Sequence, residues 1–173
     1  MKLHLLGLPH TVTDDAHHHC AYTAKVQKLP AMMRPHGYEI IHYGVAGAQT
    51  AASEHVDIMT RAEQNDLRGH DGSDHSRFVG DDGDISTPLY REFNQRLRRA
   101  LRERVALNDL VLLPFGWGHA QAVQGLPFTL VESGIGYPNL YDGAANVVHR
   151  IYESYAWLHY HHGMAQRIGI NYE

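Results

Sequence analysis

One cysteine, Cys20, in 173 residues leaves no partner for an internal disulfide. A chain without disulfides fits a reducing compartment, read here as the cytoplasm. Positive charge is not in excess either: 15 Lys and Arg against 19 Asp and Glu give a formal net charge of −4. No global field therefore draws the chain to nucleic acid. No apolar run approaches the ~20 residues that span a bilayer. The short run at the N-terminus, Leu3 to Leu8, is ended by Pro9 and His10 and reads as a first strand rather than a signal peptide. The sequence contains no internal repeat, low-complexity stretch or internal domain boundary. It has no P-loop and no G-x-G-x-x-G, and "GVAGAQ" is too short to count as a dinucleotide fingerprint.

The length is enough for one domain with a sizeable core, assigned to residues 1–173 as a whole. Continuous apolar runs recur as strands: Leu3 to Leu8, "YEIIHYG", "HVDIMT", "NDLVLLPFG" and "PFTLVESGIGYP". Between them lie helical patterns. Tyr22, Val26, Leu29 and Met33 recur at three or four, "RAEQNDLRG" makes a polar helix, and Leu89, Phe93, Leu97, Leu101 and Val105 form one stripe. Thr87 is that helix's N-cap, with Pro88 at its first position. "HAQAVQG" is a short helix stopped by Gly125, "ANVVHRIYESYAWLHYHHG" reads as a helix or a strand-helix mixture, and "IGINYE" as the start of another strand. The glycine- and aspartate-rich stretch 69–86 reads as a long, mobile loop. Strands that are apolar throughout and alternate with helices indicate an α/β fold, a Rossmann-like parallel sheet with helices on both faces.

Histidine is in surplus, with 15 residues; it changes charge near neutrality and binds metals. In a parallel sheet every strand delivers its trailing loop to one edge, where ligands bind. That rim collects His10 and Thr11, then Gly116, Gly118 and His119, and then Glu132, Ser133, Gly134 and Tyr137. His119, between glycines that let backbone approach a ligand, is a candidate catalytic residue; the alternative is a cap on a tight turn. Glu132 either orients an imidazole or binds hydroxyls, or else caps the backbone of its own turn. Three consecutive histidines, His17 to His19, diverge by about 100° each on a helix, so no metal is expected there; His19 alone is assigned to the cleft and the surplus to solvent. "HYHHG" is read the same way, Cys20 as a small buried residue, and the arginines of 91–104 as a solvated face.

The stretches "LHLLGLPHTVT", "HCAYTAKVQKL", "GYEIIHYG", "VESGIGY" and "YESYAWLHYHHG", in this order and spacing, resemble the N-terminal half of bacterial and phage glycosyltransferases of the GT-B fold, of the family-4-like retaining type. The resemblance covers nearly the whole chain. It implies a domain that mostly binds the acceptor and faces, across a cleft, a C-terminal domain outside these residues that holds most of the nucleotide-sugar contacts. It implies no catalytic metal and no cofactor beyond the nucleotide-sugar co-substrate. By this resemblance His119 and its glycines reach the transferred sugar, and Pro9 to Thr13 lie near the donor phosphates. The first loop departs from the family pattern in having no Gly-Gly pair. Two other readings stand beside it: a stand-alone α/β module that binds a sugar or nucleotide without turnover, and a small nucleotide hydrolase using His119 and Glu132.

Overall fold

A computed structural model describes residues 1–69, 84–143 and 146–167. Six strands form one all-parallel sheet: β1 (Lys2–Leu6), β2 (Glu39–Val45), β3 (Glu54–Met59), β4 (Leu110–Leu113), β5 (Thr129–Ile135) and β6 (Val147–Tyr152), in the order β3-β2-β1-β4-β5-β6. The helices are α1 (Ala21–Met33), α2 (Arg61–Arg68), α3 (Pro88–Arg104), α4 (Ala120–Val123) and α5 (Tyr155–Arg167). This is the α/β, Rossmann-like arrangement expected from the strand pattern.

The inner strands are largely apolar because both faces are covered. Leu3, Leu5, Ile40, Leu112 and Val131 pack with Val26 of α1 on one side. Leu6, Ile41, Tyr43, Val111, Leu113 and Leu130 pack with Leu89, Phe93, Leu97 and Leu101 of α3 on the other. Among the described residues the strand-helix alternation fails twice: β5 passes to β6 with no helix between them, and β2 is joined to β3 by residues 46–53 with no helix, along a strap held by Ser53 N–H to Ile40 O and Gln49 N–H to Thr13 O. The ambiguous segment after residue 146 resolves into edge strand β6 followed by α5. Its strand is only half covered, with Val147 62% and Ile151 56% exposed, so its pattern is weak.

α3 starts where expected. Thr87 accepts a hydrogen bond from Tyr90 N–H at 3.4 Å, donates to Asp84 O at 2.9 Å, and is followed by Pro88. Thr87→Ala is expected to cost about 1 kcal/mol in a urea titration; an unchanged midpoint would show that the cap is idle. The bulk of stretch 69–86, residues 70–83, and the strand expected at "IGINYE" lie outside the described residues. Among the described residues no helix is long and apolar enough to cross a membrane.

Candidate functional site

The sheet order reverses between β1 and β4. From β1 the chain moves toward β2, and from β4 toward β5, so the loops that leave these neighbours diverge and open a crevice at the carboxyl edge. The first loop carries His10, the second His119.

His10 is buried, 4% exposed. Its Nδ1 shares a 2.7 Å hydrogen bond with the Tyr90 hydroxyl, and its Nε2 lies 3.4 Å from the Cys20 sulfur. The backbone on either side is gripped by α2: Gln64 donates to Pro9 O at 2.6 Å, and Arg68 donates to His10 O. Burial, reinforced by Arg68 and by His17 and His19, pulls the imidazole pKa down to about 3. Thr11 shares a 2.5 Å hydrogen bond with Thr23 of α1, so its hydroxyl ties the loop to the helix.

The second loop is a 3-10 turn, Gly116–His119, leading into the single turn of α4. The expected helix N-terminus is therefore only one turn long. His119 is 1% exposed, with its ring edge-on to Phe115 at 6.4 Å. Neither ring nitrogen has a hydrogen-bond partner among the described residues. Burial, then the nearby His10, lowers its pKa to about 3, so it is neutral at pH 7. Asn94 of α3 holds the turn by donating to Gly118 O at 3.0 Å, and its own Oδ1 is also buried without a partner. Two buried polar groups with unmet capacity thus flank Gly118, each one a cost unless something occupies it.

The glycines of this turn make room for the protein itself. A Cβ on Gly116, at φ +34°, would stand 2.0 Å from Glu132 Oε1, and one on Gly118 would stand 2.2 Å from Phe115 Cδ1.

Glu132 lies inside β5, opposite Leu113, and not in the loop after the strand. The carboxylate is fully buried. Oε1 accepts from the Tyr137 hydroxyl at 3.0 Å and from Tyr141 N–H at 3.1 Å. Oε2 faces Arg150 Nε at 3.4 Å, and Arg150 also donates to Tyr141 O at 2.9 Å. Burial raises its pKa, against these bonds and the Arg150 charge. This geometry fits the second of the two readings of Glu132: it binds the loop after β5 to the sheet. No hydrogen bond joins it to His119 among the described residues.

Ser133 points to the other face of the sheet, toward α1. Gly134, at φ +67°, presents its carbonyl to Lys25. Tyr137 is buried, its carbonyl accepting from His161 Nε2 at 3.0 Å. That bond corrects the expectation that the "HYHHG" histidines are all solvated. A second correction concerns "HHHC". Asp15–His17 forms a 3-10 turn that directs His17 inward, 2.6 Å from Asp14, while His18 and His19 are exposed. His19 stays near the site, its ring 6.3 Å from that of His17.

Tyr90, Gln64, Arg68 and Asn94 are positioning residues that the sequence reading did not single out. Tyr90 and Asn94 sit one turn apart on α3, each directly after a residue of the apolar stripe, and that flanking pair of polar-tipped residues is the signal that could have found them. Among the described residues no group of three or more His, Cys, Asp or Glu is placed to hold a metal ion. No protein-family model matches this chain, and no curated protein matches it.

Proposed function

We propose that the chain is the acceptor-side half of a retaining, nucleotide-sugar-dependent glycosyltransferase, its crevice between β1 and β4 closing on a donor-binding domain. One observation carries this reading: His119 is a neutral, buried imidazole at the switch point with neither nitrogen hydrogen-bonded among the described residues. Such a group donates one hydrogen bond and accepts another, which suits a sugar hydroxyl. The sequence resemblance supplies the reaction class.

The electrostatics assign the parts. His10 and His119 are both held neutral, so neither offsets the charge of a departing diphosphate; that task falls to the second domain. Glu132 is a positioning residue, because its oxygens are engaged by Tyr137, Tyr141 and Arg150.

The test is a transfer assay over a panel of nucleotide sugars, with residues 1–173 and with the gene's full reading frame. The longer protein is expected to transfer sugar and the 173-residue chain to show none. In the longer protein His119→Ala is expected to lower kcat by roughly 10²-fold, as for one lost polar contact at a reacting centre, without unfolding it. Transfer by residues 1–173 alone would defeat the half-enzyme reading. Saturable binding of a nucleotide sugar at every length, with no turnover, would establish the binding module in its place.

A further inference from the structure

A second cavity, of about 220 Å³, lies on the α1 side of the sheet at the ends of β4 and β5. Its lining includes neither His10 nor His119. Leu29 and Met32 of α1 and Pro114 form apolar walls, and Ser133, Gly134, Lys25, Lys28 and Glu153 complete it.

The polar groups here divide into engaged and open ones. Lys25 donates to Gly134 O, pairs with Glu153 at 2.9 Å, and sits over the rings of Tyr22 and Tyr137 at 5.0 and 5.6 Å. It thereby neutralises the one carboxylate of the cavity. Lys28 has no ion pair or hydrogen bond among the described residues, so its ammonium is open. Ser133 is 7% exposed, and its hydroxyl likewise makes no bond among the described residues. Met32 is 65% exposed at the mouth, where a surface helix would ordinarily carry a polar residue.

We propose that this cavity binds a monocyclic compound bearing one anionic group, such as an aryl phosphate or an aromatic carboxylate. Size, polarity and charge each limit the ligand. An apolar cavity of about 150 Å³ takes benzene, so one ring with a single substituent fits the space here. The apolar walls exclude a free sugar or a bare ion. The anion is directed to Lys28, because Lys25 is already engaged by Glu153 and the Gly134 carbonyl. Ser133 offers a hydroxyl to the ring's polar edge. The inference holds whatever the β1/β4 crevice does, since this lining includes neither His10 nor His119, and Ser133 and Gly134, expected at the rim from the sequence, line this cavity instead.

The probes are phenyl phosphate, benzyl alcohol and inorganic phosphate, followed by calorimetry and by NMR shifts of the 173-residue chain. Phenyl phosphate is expected to bind saturably and to shift Leu29, Met32 and Ser133, with benzyl alcohol weaker and inorganic phosphate silent. Lys28→Ala is expected to weaken phenyl phosphate by about fivefold, the worth of an exposed charge pair, and to leave benzyl alcohol unchanged. Met32→Glu is an exposed change that leaves the core intact, and it is expected to repel the anion and abolish phenyl phosphate binding. No saturable binding up to the probe's solubility, equal binding of inorganic phosphate, or affinity indifferent to both substitutions would each overturn the proposal.

Discussion

Lowering the pH from 7 toward about 4 is expected to unfold the protein in a steep, cooperative transition. Three buried imidazoles, those of His10, His119 and His42 inside β2, each have their pKa pulled by burial from 6.5 to about 3; burial shifts the equally buried His4 in the same direction. In the unfolded chain each returns to its ordinary value. Above pH 6.5 neither state binds the proton and these groups add no pH dependence. Below it the unfolded state binds more protons, so stability falls as pH falls, until the folded pKa near 3 is reached. Each group contributes up to about 1.4 kcal/mol per pH unit, and three together about 4 kcal/mol per unit. A domain with about 5–15 kcal/mol in hand exhausts it within a few pH units. Asp109, held low in the fold by the Lys2 and Ala106 N–H groups and His4, acts in the same direction at lower pH. Glu132, held high, opposes it as a single group. Melting curves at a series of pH values measure the slope, and a midpoint flat between pH 7 and 4.5 would contradict the argument. His119→Leu removes one titrating group without adding a partner and is expected to reduce the proton uptake on unfolding by about one.

Two of these histidines, His10 and His119, show what was legible in the sequence. Their place was readable: a residue trailing a continuous apolar strand goes to the carboxyl edge, and His10 and His119 both do. Their chemistry was not, because it depends on what packs over them. Tyr90, 80 residues from His10, and Asn94, 24 residues from Gly118, are brought there only by the packing of α3. Strand patterning located β1, β2, β4 and β5 because burial on both faces leaves an unbroken apolar signature. It did not separate β6 from α5, since an edge strand with exposed Val147 and Ile151 loses that signature and no Gly or Pro marks the junction. Glu132 reads as the end of its strand for a related reason. A carboxylate interrupts the apolar run, so the strand reads as ending three residues before it ends at Ile135. The inward turn of His17 followed from a 3-10 turn where a full helix had been assumed, which rotates three adjacent side chains differently.

Gly116→Ala is expected to destabilise the protein by about 4 kcal/mol and to disorganise the turn that presents His119. The backbone there has φ +34°, and the new Cβ would meet Glu132 Oε1 at 2.0 Å, the Tyr137 hydroxyl at 2.7 Å and Glu132 Cδ at 2.9 Å. The left-handed conformation costs an alanine about 1–2 kcal/mol. The clash adds more, because Glu132 cannot swing aside without giving up Tyr137 or Tyr141 N–H and losing its alignment with Arg150. A buried charge stripped of partners costs about 3–5 kcal/mol, so the backbone is expected to yield instead, taking His119 with it. Gly125→Ala is the control: its φ is +70°, and a Cβ there meets nothing within 4 Å, so only the conformational cost of about 1–2 kcal/mol applies. A double-mutant cycle isolates the contact. Glu132→Ala alone leaves Arg150 without its carboxylate, but in the double variant it also clears the space that the Gly116→Ala methyl needs. The double variant is therefore expected to be more stable than the sum of the single losses by more than about 1 kcal/mol. Additive losses would show that Gly116 and Glu132 are energetically independent, and the carboxylate would then have no part in placing His119.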